Sequence, residues 1–297
     1  NQNLMIRPGF SFQTNDPWSR TTGWQYGQSG YSPTNNFSDG SRNGYNIRTN
    51  AIYRAKLGKV GRTVTLDGQF RYSNNRNNTD SYSNTALVSP VRPLDWAFDG
   101  TYVDPETGET KPYSVLRYLR SVAPSSSYTL RGEFTYTEPV SKYAQLSLQY
   151  RASYEHQERD KKSYITGDDF SIAGLPYEPS LSNTYESNYL TQRVGPGFRY
   201  SKERNTFVAN VYYQRASLDG QVMRTESEKI RHNYDNVLYF VMGQMNFNRE
   251  NALRMFISSY TNNPDVTQLQ SVFDVSNAQY ISSGNPDLNP SYNHSLN

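Results

Sequence analysis

Nine stretches of this chain sort apolar and polar residues onto alternate positions, and no charge interrupts the centre of the apolar set. They are Asn3–Gln13, Ile47–Leu57, Val64–Tyr72, Tyr128–Tyr136, Ala144–Tyr154, Leu190–Tyr200, Phe207–Tyr213, Val237–Phe247 and Leu253–Ser259. Period two is the period of a strand, whose successive side chains point to opposite faces. Gln192 is the one strongly polar residue in the apolar set. In Val237–Phe247 the residues Leu238, Phe240 and Met242 make both faces apolar, so the outward face there is assigned weakly.

The connections alternate as regularly as the strands. Short polar turns (Gly58–Arg62, Pro139–Lys142, Ser201–Asn205 and Asn248–Asn251) alternate with long stretches that lack periodicity: Asn15–Gly44, Asn74–Ser127, His156–Asn188, Ser217–Tyr234 and Asn262–Pro290. Compact domains seldom carry several structureless loops longer than about 15 residues. Short turns at one end and long loops at the other are the habit of an outer-membrane barrel. A soluble sandwich or curved sheet also alternates polar with apolar, so the uncharged face and the turn asymmetry carry the membrane reading.

Composition agrees. Only 35% of the 297 residues are hydrophobic, yet there are 26 Tyr and 13 Phe, too many aromatics for a disordered polar chain. With no cysteine there is neither disulfide nor thiolate metal site. The longest apolar run, Val237–Met242, is far short of the ~20 residues of a spanning helix, whereas a membrane strand needs only about 9–11. Asn1–Leu4 does not resemble the start of a signal peptide, and alternation resumes at Tyr292 as the sequence ends. The expectation is therefore one partial β-barrel domain over residues 1–297, truncated at both ends and without a plug domain.

The polar face is basic. Arg7, Arg48, Arg54, Lys56, Arg71, Arg131, Arg151, Arg193, Arg199 and Arg254 stand there against Asp67 and Glu133. In a barrel this face lines the lumen, where Arg48, Arg54, Arg71, Arg131, Glu133, Arg151 and Arg254 either meet the carboxylates of a plug or guide an anionic ligand. Pairing with a plug is the safer assignment. Nucleic acid is not expected, because arginines and aromatics occupy opposite faces of the same strands and form no common stacking platform.

Candidate chemistry is sparse. His156, His232 and His294 lie far apart in sequence and read as solvated histidines. Asp95, Asp99, Asp104, Glu106 and Glu109 could gather oxygen ligands for calcium, but their spacing departs from an EF-hand, and Asp104–Gly108 reads more simply as a turn. No nucleophile elbow, HExxH or phosphate loop is present, and a non-enzyme is expected. The loop aromatics Trp18, Trp24, Tyr26, Tyr31, Trp96, Phe98 and Tyr102 are candidates for stacking on a sugar or aromatic ligand. Packing within the loops, or a place at the headgroups, accounts for them equally well.

The closing stretch, NPDVTQLQSVFDVSNAQYISSGNPDLNPSYNHSLN after LRMFISSYTN, resembles the TonB-dependent-receptor-like outer-membrane β-barrel family of Bacteroidetes, distantly similar to SusC-type importers. Pro264, Gln268-Leu269-Gln270, Asp274, Ser276-Asn277, Gly284-Asn285-Pro286-Asp287-Leu288, Pro290 and Tyr292 carry the resemblance, and the YTEPVSKYAQLSLQYRASYE hairpin is similar too. It implies an all-β, antiparallel transmembrane barrel, of which this chain supplies about 10 of about 22 strands, with short periplasmic turns and long extracellular loops. It further implies outer-membrane lipid around the barrel, a plug domain elsewhere in the protein, energisation by the TonB complex, and a transport or receptor function for a glycan, peptide or metal chelate, with no cofactor. A non-transporting barrel that binds a surface lipoprotein or serves assembly is the alternative, and an outer-membrane hydrolase comes third.

Overall fold

In the computed structural model the described residues are 2–27, 30–85, 101–103, 107–112, 115–223, 227–248, 250–269, 273–277, 280–285 and 287–297. Of these, 24–27, 30–35, 84–85, 101–103, 111–112, 115–116, 227–228, 266–267, 273–277 and 280–283 are described for the backbone alone. The elements are β1 (Gln2–Asn15), β2 (Trp18–Gly27), β3 (Gly30–Lys56), β4 (Thr63–Thr85), β5 (Thr101–Val103), β6 (Thr110–Pro112), β7 (Val115–Pro139), β8 (Ala144–Thr166), β9 (Asn183–Lys202), β10 (Asn205–Met223), β11 (Ser227–Asn246), β12 (Ala252–Asn262), β13 (Phe273–Asn277), β14 (Tyr280–Ser283) and β15 (Ser291–Leu296). A 3-10 turn at Pro179–Leu181 and one helical turn, α1 (Val266–Leu269), interrupt the connections.

One antiparallel sheet of 11 strands holds nearly everything, in the order β1-β3-β4-β7-β8-β9-β10-β11-β12-β15, with β2 also on β3. All nine alternating stretches and the one beginning at Tyr292 are strands of this sheet, each beside its predecessor. The far sides of β1 and β15 have no partner among the described residues, so the sheet is open. The four short turns fall at one end, as their spacing predicts. The pair Glu203-Arg204 closes β9 on β10 with Glu203 at φ 54.

The other end corrects the reading of long loops. Much of the sequence that lacks periodicity is strand. β1 and β2 pair with β3 in one unbroken register, from Gln2↔Ala55 to Gly27↔Gly30, interrupted only at Asp16-Pro17. β4 and β7 stay paired from Thr63↔Thr137 to Thr85↔Val115, and β10 and β11 from Thr206↔Gln244 to Met223↔Ser227. In the extensions of β3, β4 and β7 alternation fades while backbone pairing continues regardless, whereas the β10–β11 extension keeps one apolar, buried side at Leu218, Val222 and Ile230.

Register places the apolar sets of all ten strands on one face and the arginines on the other. Leu4, Tyr53, Leu66, Phe134, Tyr150 and Val194 form one continuous row on the apolar face. That face is left bare: Leu66, Leu130, Phe134, Leu146, Leu148, Val194, Val211 and Val237 are all exposed. The accessible surface is 18722 Å² for 34.1 kDa, against about 12,800 Å² for a compact monomer of that mass. The ambiguous stretch resolves too, with Val237, Tyr239 and Val241 on the apolar face and Leu238 buried on the other.

Aromatic rings border the apolar face. Phe10, Tyr45 and Tyr72 stack in sequence at one border, where Tyr128 also meets Tyr154. Tyr143 meets Tyr200, and Phe198 meets Phe207, at the border near the short turns. From Ala144 to Tyr154 is ten residue steps. At a rise of ~3.3 Å and a tilt of ~40° these span a height of about 25 Å. Charge enters this face at Arg215, directly opposite Asp235 and Gln192, one pair short of the row of Tyr154 and Leu190 at the far border.

Near the short turns, Glu138 accepts from Arg62 Nε at 2.7 Å, from Lys59 Nζ at 3.2 Å and from the Tyr136 hydroxyl at 2.6 Å, joining the β3–β4 turn to the end of β7. The Arg62 guanidinium, helped by Tyr136 and Lys59, holds the Glu138 carboxyl down at about 2.

Candidate functional site: a polar row beneath a folded-in loop

Across the arginine-bearing face one row of directly paired residues runs Asp67–Glu133–Arg151–Arg193–Gln214–Asn236, from β4 to β11. The acids occupy one end and the guanidinium groups the middle. Charge is therefore separated along the row, and Arg151 and Arg193 oppose each other, an arrangement that repels. Arg151 is answered by Glu133, to which its Nε donates at 2.6 Å. Arg131, one step along β7, lies 4.0 Å from the same carboxylate. Arg193 has no carboxylate partner among the described residues, and its guanidinium lies over the Tyr212 ring at 4.4 Å from the centroid. Tyr212 in turn donates to Gln149 Oε1 at 2.7 Å.

Beside this row the β9–β10 ladder is interrupted at Gly195-Pro196. Pairing with β8 is unbroken through Leu148↔Pro196, whereas pairing with β10 skips Gly195 and Pro196. Proline has no N–H to give the ladder, and a Cβ on Gly195 would stand 1.9 Å from the Val211 carbonyl oxygen.

Above the row the closing loop turns back over the same face. Leu269 of α1 is fully buried with Tyr185, Leu218, Val222 and Ile230, and Leu288 packs beside them. The Tyr234 hydroxyl donates to the Leu288 carbonyl at 3.4 Å. At the loop's root Gln214 Nε2 donates to Thr261 Oγ1 at 2.8 Å. β13 lies next to the 3-10 turn of the β8–β9 connection. That connection is itself tied down where β8 extends past the start of β9: Glu178 N–H donates to Ser163 O at 2.7 Å, and Ser163 Oγ to Leu181 O at 2.9 Å. Both segments satisfy strand edge and apolar surface that would otherwise face water. Burial raises the Tyr189 hydroxyl above its usual range beneath this roof.

Between the row and the root of the closing loop lies a cavity of about 320 Å³ lined by Arg131, Arg151, Ser153, Thr191, Arg193, Gln214, Leu238, Tyr260 and Asn263. With three guanidinium groups, the amides of Gln214 and Asn263 and the hydroxyls of Ser153, Thr191 and Tyr260 it can bind and orient an anion; no base–nucleophile pair lies among its described lining residues.

The seven charged residues expected to line a lumen (Arg48, Arg54, Arg71, Arg131, Glu133, Arg151 and Arg254) do share this face, Arg48 directly opposite Arg71 and Arg254 opposite Gln244. Only Arg131, Glu133 and Arg151 converge on the row. Arg193, Gln214 and Tyr212 complete it; Arg193 was legible as a basic-face residue, but nothing in the sequence marked which arginines the register aligns. Of the aromatic candidates, Trp18 is exposed at the start of β2. Trp24, Tyr26, Tyr31 and Tyr102 lie where only the backbone is described, and Trp96 and Phe98 lie outside the described residues. Asp95, Asp99, Asp104 and Glu106 also lie outside them, and among the described residues no three acidic or histidine side chains group as metal ligands.

All three histidines are strand residues, which corrects the placement of His156 and His232 in long loops; His294 lies in the strand that begins near Tyr292. His156 stacks on Tyr128 and bonds Asn188 Oδ1 at 2.9 Å, His232 stacks on Tyr234 on the opposite face, and His294 bonds the Tyr239 hydroxyl at 2.6 Å. No family model matches the chain, and neither does any curated protein.

Proposed function

We propose that this chain is part of the wall of an outer-membrane β-barrel of the TonB-dependent-receptor-like kind, serving uptake of a nutrient ligand. The observation that carries the reading is the bare apolar face across ten strands, about 25 Å high between aromatic borders and charged only at the opposed pair Arg215 and Asp235 near its far border, which matches the band a barrel presents to lipid. The arginine-bearing face then looks into the lumen, and the folded-in loop narrows it from the external side. Further strands would extend β1 and β15 and close the barrel, with a total near 22. A plug in the lumen and the TonB complex on the inner side would be the protein partners, lipid the outer one. Binding and gating, without covalent chemistry, are the mechanism.

A roof drawn over the lumen face also favours a second reading, a barrel that binds or assembles a surface partner without transport. The test is fractionation of the full-length protein with unheated and heated electrophoresis. Recovery in the outer membrane with heat-dependent migration is expected. A soluble monomer would overturn the proposal.

A further inference from the structure

We infer that the cavity beneath the folded-in loop is a binding site for a small carboxylate, with Arg193 as its principal anchor. This goes beyond the barrel reading, since the site requires only the sheet face and the loop, not passage through a membrane.

Three observations converge. First, three guanidinium groups, Arg131, Arg151 and Arg193, line one cavity, and the one carboxylate beside it, Glu133, is taken by Arg151 and Arg131. Second, the half-buried Arg193 faces Arg151 across the strand pair and has neither a hydrogen bond nor an ion pair among the described residues. A guanidinium carries five donors in a planar fork, and its strongest partner is an oxyanion that takes two of them side by side. Third, the ring of Tyr212, fixed by its bond to Gln149, lies beneath Arg193 and holds that fork in place before any ligand arrives. A bound carboxylate would relieve the repulsion between Arg151 and Arg193. Gln214, Thr191 and Ser153 in the wall offer hydrogen bonds to the ligand's remaining polar atoms. A guanidinium fork takes the oxygens of a carboxylate or of a phosphate side by side, so competition by phosphate decides between them, and the volume of about 320 Å³ limits the ligand to a small one.

The measurement is equilibrium dialysis of radiolabelled succinate against the full chain in detergent at physiological salt, with circular dichroism confirming strand content in every variant. Saturable binding of about one equivalent is expected, weakened at least tenfold in Arg193→Gln, weakened less in Arg193→Lys, and unchanged in Arg254→Gln, an arginine of the same face outside the cavity. Absence of saturable binding would overturn the site. Equal losses in Arg193→Gln and Arg254→Gln would replace it with a diffuse basic field, and displacement by an equal concentration of phosphate would overturn the carboxylate assignment.

Discussion

Tyr234 of β11 donates its hydroxyl to the carbonyl of Leu288, 3.4 Å away, and so fastens the far part of the closing loop to the face that carries the arginines. The same loop buries Leu269 completely against Leu218, Val222 and Ile230. Truncating a fully buried leucine costs about 2–5 kcal/mol, and here that cost falls on the seating of one loop. Leu269→Ala should therefore open residues 263–290 to proteolysis and amide exchange while leaving β3–β8 protected. Leu253→Ala, at an exposed position on the other face, should change neither. Exchange measured by mass spectrometry separates the two outcomes.

Acid should loosen the joint between the turns. Glu138 titrates near 2 in the folded chain, held down first by Arg62, against an ordinary value of 4.5. A depressed folded value means the unfolded chain takes up the proton first as pH falls. The stabilisation is therefore fully present above about 4.5 and is lost as pH falls toward 2. The stability difference between the native chain and Glu138→Gln should be constant from neutrality to pH 5 and vanish by pH 2. Denaturation curves at stepped pH measure it.

The strands, their order and the two faces were legible because alternation survives wherever one face is selected for apolar residues: Leu66, Phe134 and Tyr150 announce their shared side in sequence. The extensions were not. Ser38–Asn43 and Asn74–Asp80 are polar on both sides, so no period marks them although the backbone pairs throughout. The site was half legible. A basic face follows from counting arginines, but the row from Glu133 through Arg193 to Gln214 depends on three registers that no local pattern records. Leu269 and Leu288 read as turn-rich loop residues because the apolar surface they cover belongs to strands far away in sequence.

Gly195 sits where β9 and β10 come closest beside the arginine row. A methyl group there would collide with the Val211 carbonyl oxygen, a backbone atom unable to swing aside. Gly195→Ala should cost about 3 kcal/mol, the upper end of overpacking penalties, and should displace Arg193 with its strand. Gly132→Ala, with nothing within 4 Å of the new carbon, should be nearly neutral. Urea denaturation of both variants gives the comparison, and equal stabilities would refute the close approach.

The depth of the apolar band makes the membrane reading quantitative. Leu148 lies midway along the band and Leu130 at its far border, directly opposite Tyr154, yet they are equally exposed, at 50%. Were this face in water, an arginine at either place would change stability within about 0.5 kcal/mol, as exposed substitutions do. Were it covered by a protein layer, both would be costly. In lipid the penalty depends on depth: about 2–4 kcal/mol at the midplane and about 0–1 near the border, where the side chain reaches the headgroups. Leu148→Arg should therefore destabilise the folded barrel strongly in bilayers and Leu130→Arg hardly at all. Reversible folding of the full-length protein into lipid vesicles, followed by tryptophan fluorescence, measures both, and equal penalties at the two positions would contradict a lipid-facing band.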